Sequence, residues 1–194
     1  MIIHSIFMLD NFFRRKNQQF SKPDKSIKNK WDSKIVKLCN RINSKEIYYT
    51  TSSCSGRILL IKKSNIKKDG LFVKVWHDLI SFKELKETLE SIDDEGIIYF
   101  KQEPVILHIA CRTLQDAQAL IDIAVKKAGW KRYGIISSRR FILELNSTEK
   151  LEFPIMDKGR ILIDNAFLET IVKEANEKIK LSWDKINRFE KEMG

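Results

Sequence analysis

Residues 46–63, EIYYTTSSCSGRILLIKK, mark the point at which the chain changes from helical to strand periodicity. Aromatic and β-branched residues dominate both halves, and the small residues Ser53–Gly56 join them, which is typical of two strands and a turn. A third apolar run, LFVKVWH, follows the polar segment KSNIKKDG. Three strands are therefore predicted between residues 46 and 77.

Helical periodicity is found on both sides of these strands. Apolar residues recur at helical spacing, and capping-box pairs or a glycine mark several helix ends. The predicted helices cover 5–20, 27–43, 81–95, 113–129 and 165–193. Further strands are predicted over 96–102, 104–111, 130–137, 140–147 and 159–164.

Strands and helices mix without strict alternation, which favours an α+β fold with one substantial mixed sheet. YYTTSSCSGRILLI (48–61) is similar to YGIISSRRFILEL (133–145), which indicates a β3α2-like unit used twice, although such matches in strands also arise by chance. We expect a single domain over residues 1–194. Its parts would be N-terminal basic helices (1–43), a first β/α unit (46–129) and a second (130–194).

The composition favours a soluble, cytoplasmic protein; it does not decide the oligomeric state, for which we expect a monomer. Hydrophobic residues make up 43% of the chain, enough for a core that needs no metal or disulfide. The N-terminal apolar run is interrupted by His4 and Asp10, unlike a secretory signal or a membrane-spanning helix. Cys39, Cys54 and Cys111 lack the spacing of zinc or redox motifs. We expect reduced thiols, no metal, and neither a membrane nor DNA as partner.

The net charge of +10 is concentrated at the N-terminus. Residues 1–69 hold 16 Lys/Arg and 5 Asp/Glu, a balance of +11, whereas residues 70–128 sum to −3 and residues 129–194 to +2. A concentrated basic segment attracts polyanions, most often nucleic acid. A general lysine bias of the composition explains the charge equally well.

The sequence excludes several common site types. Its seven glycines never occur as Gly-x-Gly, so neither a dinucleotide fingerprint nor a phosphate loop is present. His-x-x-x-His, Cys-x-x-Cys and Gly-x-Ser-x-Gly motifs are also absent. Metalloprotease, zinc-ribbon and hydrolase interpretations are therefore unsupported.

The segment TTSSCSGRI (50–58) is the first candidate site. Hydroxyl side chains end a strand, Gly56 permits a turn, and Arg57 adds a permanent cation. Such a segment can bind a carboxylate, a phosphate or a sugar hydroxyl, but a simple hairpin tip has the same composition. Cys54 lacks an activating neighbour in the sequence and is expected to be a spectator.

Trp76-His77 and His108 are further candidates because they lie at or within strands. His77 can act as a general base or bind substrate, and Trp76 can stack on a base. A histidine in an apolar strand is more often a satisfied core residue, which applies to His108, whereas for His77 the two interpretations are even. Arg112 would leave the His108 strand near a ligand, or would only be solvated.

Arg14-Arg15-Lys16 and the lysines of 28–41 alternate with aromatic residues. Unpaired RNA is bound by this combination of cations and stacking rings. The aromatic spacing is explained more simply by helix packing.

Taken together, YYTTSSCSGRI, the downstream V-W-H, FKQEPVILHIA and GWKRYGI resemble the tRNA wybutosine-synthesising protein 3 family in its archaeal single-domain form. The likeness covers essentially the whole chain. Gln102 departs from it, because a small apolar residue or Val is expected before Glu-Pro. The resemblance implies two β3α2-like repeats forming one barrel-like sheet with flanking helices and a long C-terminal helix.

The resemblance also implies an S-adenosylmethionine-dependent methyltransferase that acts on N4 of a wyosine-type guanosine beside the anticodon of tRNA(Phe). We expect His77 and Ser53 to be catalytic. The residues expected to line the cofactor site are Ser52, Ser53, Ser55, Gly56, Arg57 and His108. Those expected to bind the anticodon arm are Arg14, Arg15, Lys16, Lys30, Lys34 and Trp76. The alternative hypothesis is a non-catalytic tRNA-binding module of the same pathway.

Overall fold

The computed structural model describes residues 2–21, 32–64, 66 and 70–194, with the backbone alone for residues 2–10. Its helices are α1 (Ile2–Phe20), α2 (Val36–Ser44), α3 (Phe82–Glu90), α4 (Leu114–Lys126) and α5 (Asn165–Glu192). Its strands are β1 (Tyr48–Cys54), β2 (Arg57–Lys62), β3 (Phe72–Trp76), β4 (Ile98–Glu103), β5 (Ile106–Cys111), β6 (Arg132–Ser137), β7 (Ile142–Asn146), β8 (Leu151–Asp157) and β9 (Arg160–Ile161).

The chain forms two compact units, each built from separate segments. Unit 1 contains Met1–Cys54, Ile106–Ser147 and Asp184–Gly194, and unit 2 contains Ser55–Val105 and Thr148–Trp183. These boundaries differ from those expected near residues 45 and 129. Folding as one cooperative domain stays a prediction.

Unit 1 is built on a four-stranded antiparallel sheet in the order β1-β5-β7-β6. Alternation along β5 and β7 buries Leu107, Ile109, Leu143 and Leu145 completely on one face. The helices α2 and α4 contact this sheet. On the other face, Phe12 of α1 packs against Tyr49, Ala110 and Ile142.

Unit 2 is built on a five-stranded antiparallel sheet in the order β3-β2-β4-β8-β9. One face of β2 and β4 buries four side chains: Ile58, Leu60, Ile98 and Phe100. Leu85 and Leu89 of α3 and an apolar stripe of α5 complete the same cluster. At about 25 cal/mol per Å² of buried apolar surface, this cluster is the main source of stability for the unit.

Several local predictions are confirmed. Ser81 with Glu84, and Thr113 with Asp116, form reciprocal capping boxes at the starts of α3 and α4. The three strands expected between residues 46 and 77 are present. The α+β class and the long C-terminal helix are also confirmed. Within the described residues, α2 begins at Val36, later than the predicted start at residue 27, and Trp31 lies outside the described residues.

The structure has two antiparallel sheets where the sequence predicted one mixed sheet. The chain changes sheets three times: between β1 and β2, between β4 and β5, and between β7 and β8. Gly56 adopts a φ of +97° at the first change, and Pro104 lies at the second. The strands that flank these two residues therefore do not pair with each other.

The two similar segments also pair differently. β1 and β2 lie in different sheets, whereas their counterparts β6 and β7 form a hairpin within one sheet. The sequence similarity therefore does not correspond to a repeated pairing pattern. β8 was not predicted because it contains Pro154. The proline is accepted beside a bulge at Ile155 of β8, where the pairing moves from Pro154–Tyr99 to Met156–Ile98.

Candidate functional site

The predicted site residues are divided between the two units. Ser52, Ser53 and His108 lie in unit 1, whereas Ser55, Gly56, Arg57, Trp76 and His77 lie in unit 2. The SSCSGR segment passes from one unit into the other between Cys54 and Ser55. Each group is therefore described within its own unit.

In unit 1, a row of polar side chains crosses the sheet from β1 to β7. Ser52 lies opposite His108 in the strand register, and His108 lies opposite Glu144. His108 Nε2 lies 2.8 Å from Glu144 Oε2. Gly134 continues the row on β6, and a Cβ there would meet nothing within 4 Å. This part of the face is open.

The His108–Glu144 contact orients the imidazole. An ionised carboxylate can only accept, so Nε2–H donates to Glu144 and, in the neutral ring, Nδ1 is left as an acceptor. Sequence reasoning missed Glu144. The signal was present, because Glu144 interrupts the apolar strand FILEL as His108 interrupts VILHIA.

Ser53 faces the other side of β1. It lies opposite the fully buried Leu107, on the face that packs into the core. Its side chain hydrogen-bonds Cys39 of α2; burial raises the pKa of the Cys39 thiol to about 12, and this bond acts against the rise. Ser52 and Ser53 therefore point to opposite faces, and only Ser52 shares a face with His108.

In unit 2, the turn Ser55–Arg57 is tightly constrained. Ser55 is fully buried, and Gly56 has a left-handed backbone. A Cβ on Gly56 would lie 3.0 Å from the carbonyl oxygen of Glu103 and 3.2 Å from Cδ1 of Ile179. Only glycine fits both the conformation and the close approach.

Arg57 follows this turn and is paired with Glu103 across the β2–β4 ladder. Arg57 Nε donates to Glu103 Oε2 at 2.6 Å, and the two side chains are 27% and 35% exposed. The guanidinium also lies 5.3 Å from the centre of the Phe72 ring. The pair is held in place yet accessible, and it presents one positive and one negative group side by side.

Trp76 and His77 end β3. Trp76 packs partly against the core cluster of unit 2, so it acts as a wall of that core. His77 Nδ1 is shielded from solvent. Asn176 of α5 fixes the loop after His77, since its side chain accepts from Ile80 N at 3.0 Å and donates to Ile80 O at 2.8 Å.

Gln102 is fully buried on β4, on the same face as Trp76 two strands away. Neither its side-chain nitrogen nor its oxygen has a hydrogen-bond partner among the described residues. An unpaired buried amide costs about 1–3 kcal/mol. The resemblance predicts a small apolar residue or Val here, and the buried amide of Gln102 therefore has an energetic cost that the sequence did not reveal.

The residues predicted to bind RNA differ in availability. Lys16 Nζ donates to the carbonyl oxygens of Lys45 at 2.5 Å and Glu46 at 3.3 Å, which makes it a structural cation. Burial lowers the pKa of Lys16 and Glu46 raises it. Arg14 and Lys34 have exposed side chains, and Arg14 donates to Asn11 at 2.9 Å. Lys30 lies outside the described residues.

Within residues 2–21, 32–64, 66 and 70–194, no group of three potential metal ligands is found. None of the helices in the described part is long and apolar enough to cross a membrane. Cys39, Cys54 and Cys111 are not in disulfide bonds. Hydroxyl, imidazole, guanidinium and carboxylate groups are thus the chemistry that the two candidate clusters offer.

Comparisons with known proteins find relatives over most of the chain. A family model described as "Methyltransferase TYW3" matches residues 14–194. A tRNA(Phe) 7-((3-amino-3-carboxypropyl)-4-demethylwyosine(37)-N(4))-methyltransferase of Archaeoglobus fulgidus is 36% identical over 83% of this chain and 82% of its own. The tRNA wybutosine-synthesizing protein 3 homolog of Mus musculus is 35% identical over 92% of this chain and 71% of its own.

A solved structure agrees as well. The PH1069 protein from Pyrococcus horikoshii superposes with a TM-score of 0.85 at 32% identity, over 95% of this chain and 94% of that one. The sequence, the fold and the relatives point to one conclusion: the chain belongs to the TYW3 methyltransferase family.

Proposed function

We propose that this chain transfers a methyl group from S-adenosylmethionine to N4 of a wyosine-type guanosine at position 37 of tRNA(Phe). The observation that carries the proposal is the family match over residues 14–194, together with relatives named for this reaction. The chain is a methyltransferase by family, and the identity of its methyl donor and its site residues are the proposed parts.

The Arg57–Glu103 pair fits the amino-acid end of the proposed donor. That end carries one carboxylate and one ammonium, and Arg57 and Glu103 present the complementary charges with partial exposure. S-adenosylmethionine, when bound, supplies the sulfonium methyl that the ring nitrogen takes up. We assign Arg57 to the carboxylate and Glu103 to the ammonium, with Ser55 and Gly56 shaping the turn beside them.

A proton must leave N4 as the nitrogen–carbon bond forms and the carbon–sulfur bond breaks. A positioned base assists this step, and alignment of the two reacting atoms supplies most of the remaining acceleration. His77 is our proposed base or substrate ligand. His108 is a second candidate because its contact with Glu144 leaves Nδ1 able to accept a proton. Ser52 shares a face of the unit 1 sheet with His108, and we propose both as cofactor contacts of that unit.

Ser53 is the weakest member of the proposed catalytic set. Its side chain is engaged with Cys39 and lies on the core side of β1. If Ser53 contributes, it does so by holding the strand that carries Ser52. We keep the anticodon arm as the proposed RNA element, with Arg14, Arg15 and Lys34 as contacts and Trp76 as a supporting wall. Free cysteines agree with the proposed cytoplasmic location.

The alternative, a tRNA-binding module without catalysis, is not favoured. Relatives that cover most of the chain are named as methyltransferases. The two hypotheses differ in one measurable property, since only an enzyme binds S-adenosylmethionine and turns it over.

The test combines a donor-binding assay with methyl transfer to precursor tRNA(Phe). Arg57→Gln is expected to raise the Kd for S-adenosylmethionine about tenfold or more, because a charge-assisted bond is worth about 1.5–3 kcal/mol. Lys101→Gln is the matched control. Lys101 forms a similar cross-strand pair with Glu152, at 2.6 Å and with 24% and 33% exposure, in the same sheet.

Equal effects of the two substitutions would contradict the assignment of Arg57. Failure of the wild-type protein to bind S-adenosylmethionine would overturn the proposed function. Retained binding with no transfer in His77→Ala, and full transfer in Ser53→Ala, is the pattern expected if His77 is the base and Ser53 is structural.

A further inference from the structure

The hairpin formed by β6 and β7 carries a basic segment with no acid. Residues 131–140, KRYGIISSRR, contain four cations and no carboxylate. Lys131, Arg132, Arg139 and Arg140 are all exposed. We call these four residues, together with Tyr133, the hairpin cation surface.

Neighbouring acids do not neutralise the hairpin cation surface. Among the described residues, no carboxylate lies within 4.0 Å of its four cations, whereas Arg57, Lys62 and Lys101 of unit 2 each have such a partner. Glu144 of β7 is already bonded to His108. A phosphate can therefore bind these exposed cations without first breaking an existing ion pair.

The hairpin cation surface is held on a defined backbone. Phe141 closes the β6–β7 turn with a φ of +45°, and its carbonyl accepts from Cys111 N at 3.0 Å. Arg139 and Arg140 precede it in the turn. Groups on a fixed turn bind a phosphate chain with less loss of conformational entropy than groups on a mobile tail.

Arg140 of this surface and Arg15 of α1 both lie close enough to Tyr49 to act on it electrostatically. Burial raises the pKa of Tyr49, and the charges of Arg15 and Arg140 both lower it, so these two cations act on the same hydroxyl. One helix and one turn thus bring cations from distant parts of the sequence to one end of the unit 1 sheet. Residue 15 was predicted to bind RNA, whereas residues 131–140 were not considered.

The surface also offers a ring for stacking. Tyr133 is 53% exposed on the edge strand β6 and lies opposite Leu145, on the sheet face away from α1, and Ile136 is 55% exposed. Aromatic rings beside cations are the combination that binds unpaired nucleotides, at about 1–3 kcal/mol per stacked base. An edge strand can also pair with a second copy of the chain, but charged residues along an edge oppose strand addition.

We propose that the hairpin cation surface binds the phosphate backbone of the tRNA substrate, with Tyr133 stacked on an unpaired base. The proposal rests on the proposed function for the identity of the RNA. It extends the RNA-binding surface from α1 to a second element of unit 1. Arg139 and Arg140 bind phosphates at the turn, and Lys131 and Arg132 do so at the start of β6.

Filter binding of labelled tRNA(Phe) at several salt concentrations tests the proposal. Arg139→Gln/Arg140→Gln is expected to reduce the slope of log Kd against log salt by about 1.5, since each phosphate contact contributes about 0.7–0.9. Arg139→Glu/Arg140→Glu should weaken binding more than tenfold at low salt. Tyr133→Ala should weaken it roughly tenfold, and Tyr133→Phe should retain it.

Lys173→Glu/Lys180→Glu is the control for net charge. Both lysines are exposed on α5 in unit 2, and the change in charge equals that of the hairpin reversal. Circular dichroism and sedimentation are measured for every variant. Tenfold weaker binding in the hairpin variant than in this control, with an unchanged fold and molecular mass, supports the proposal.

Equal affinities and salt slopes for the hairpin and control variants would overturn it. So would a hairpin variant that converts a dimer to a monomer without changing tRNA affinity per protomer, because the edge would then pair with a second copy. Methyl transfer separates this outcome from failure of the proposed function. A wild-type protein that binds tRNA but never methylates it contradicts only the function, whereas an active hairpin variant with wild-type KM for tRNA contradicts only the surface.

Discussion

Strands β2 and β4 of unit 2 and the β6–β7 hairpin of unit 1 hold their cations in opposite ways. In unit 2, the cations Arg57, Lys62 and Lys101 are each paired with a carboxylate within 2.7 Å. In unit 1, the four cations of the hairpin cation surface have no such partner among the described residues. Paired charges suit a small zwitterionic group, and unpaired cations suit a polyanion. A surface for a zwitterionic group and a surface for a polyanion are therefore distinguished by whether their cations are paired, and not by how many cations they have.

The two regions also differ in how closely the backbone is packed. Gly56 in unit 2 and Gly134 in unit 1 test this difference most sharply. Gly56→Ala should lower the free energy of unfolding by about 2–4 kcal/mol, because its φ is left-handed and the Cβ would meet backbone at 3.0 Å. Gly134→Ala in unit 1 should change it by less than about 0.5 kcal/mol, since its Cβ meets nothing within 4 Å. Urea unfolding of both variants measures this, and similar losses would refute the contrast.

Gln102 is an exception to the pairing of polar groups in unit 2, because its buried amide has no hydrogen-bond partner among the described residues. Gln102→Met keeps the shape and removes an amide that is unpaired among the described residues, so it should raise the free energy of unfolding by about 1–3 kcal/mol. Denaturant midpoints and the Kd for S-adenosylmethionine are measured together. A loss of stability, or a weaker Kd in a stable protein, would show that the amide has a partner that the described residues do not supply.

Asn176 holds the loop after His77 through two hydrogen bonds to Ile80. Asn176→Ala should cost about 1–2 kcal/mol and lower kcat more than it raises the Kd of the donor, because it releases a loop and removes no ligand. Asn176→Asp keeps the acceptor for Ile80 N, so its stability and its kcat should lie between those of the wild type and those of Asn176→Ala. Equal values for Asp and Ala would show that the loop is held by other contacts.

Lowering the pH should first reduce the stability that paired carboxylates give to unit 2. Hydrogen bonds from Lys101 and Lys150 lower the pKa of Glu152 below its ordinary value of 4.5. The stabilisation is therefore complete above about pH 5 and is lost as the pH falls through the lowered value. Glu152→Gln should cost up to about 1 kcal/mol at pH 7 and flatten the unfolding profile below pH 5. Arg139→Gln/Arg140→Gln should leave that profile unchanged, and a matching change would refute the division of charges.

The smallest expected effect is at the β8–β9 turn. Lys158 and Gly159 both have positive φ, at 49° and 70°, as a type I′ turn requires. Asparagine tolerates this conformation better than lysine, so Lys158→Asn should stabilise the protein by about 0.5 kcal/mol. A thermal melt detects the shift, and a lower Tm would contradict the reason given.

Local sequence signals predicted the elements with strong periodicity or caps. The Ser81 and Thr113 boxes and the strands around SSCSGR appear as expected because their determinants are close in sequence. Sheet membership was not predictable, since it depends on long-range pairing at Gly56 and Pro104. β8 was missed because Pro154 argues against a strand unless the bulge at Ile155 in the same strand is known.

The basic surface shows a different limit. Averaging over residues 129–194 gave only +2, because residues 141–164 carry five acids and three cations and so offset half of the four hairpin charges, while α5 is neutral. The charge balance along the chain does not show which cations have a carboxylate partner in the fold and which do not. The same applies to Lys16, which the sequence assigned to RNA and the fold uses to bind two carbonyl oxygens. Only tertiary contacts distinguish these uses.

The most direct measurement is the position of a transferred methyl. Precursor tRNA(Phe) that carries the demethylated wyosine-type base is incubated with the wild-type protein and S-adenosylmethionine, digested to nucleosides and analysed by tandem mass spectrometry. We predict one added methyl on the tricyclic base, located at N4, and no product without the donor. Stoichiometric tRNA binding with no methylated nucleoside would contradict the proposed function and favour the non-catalytic module.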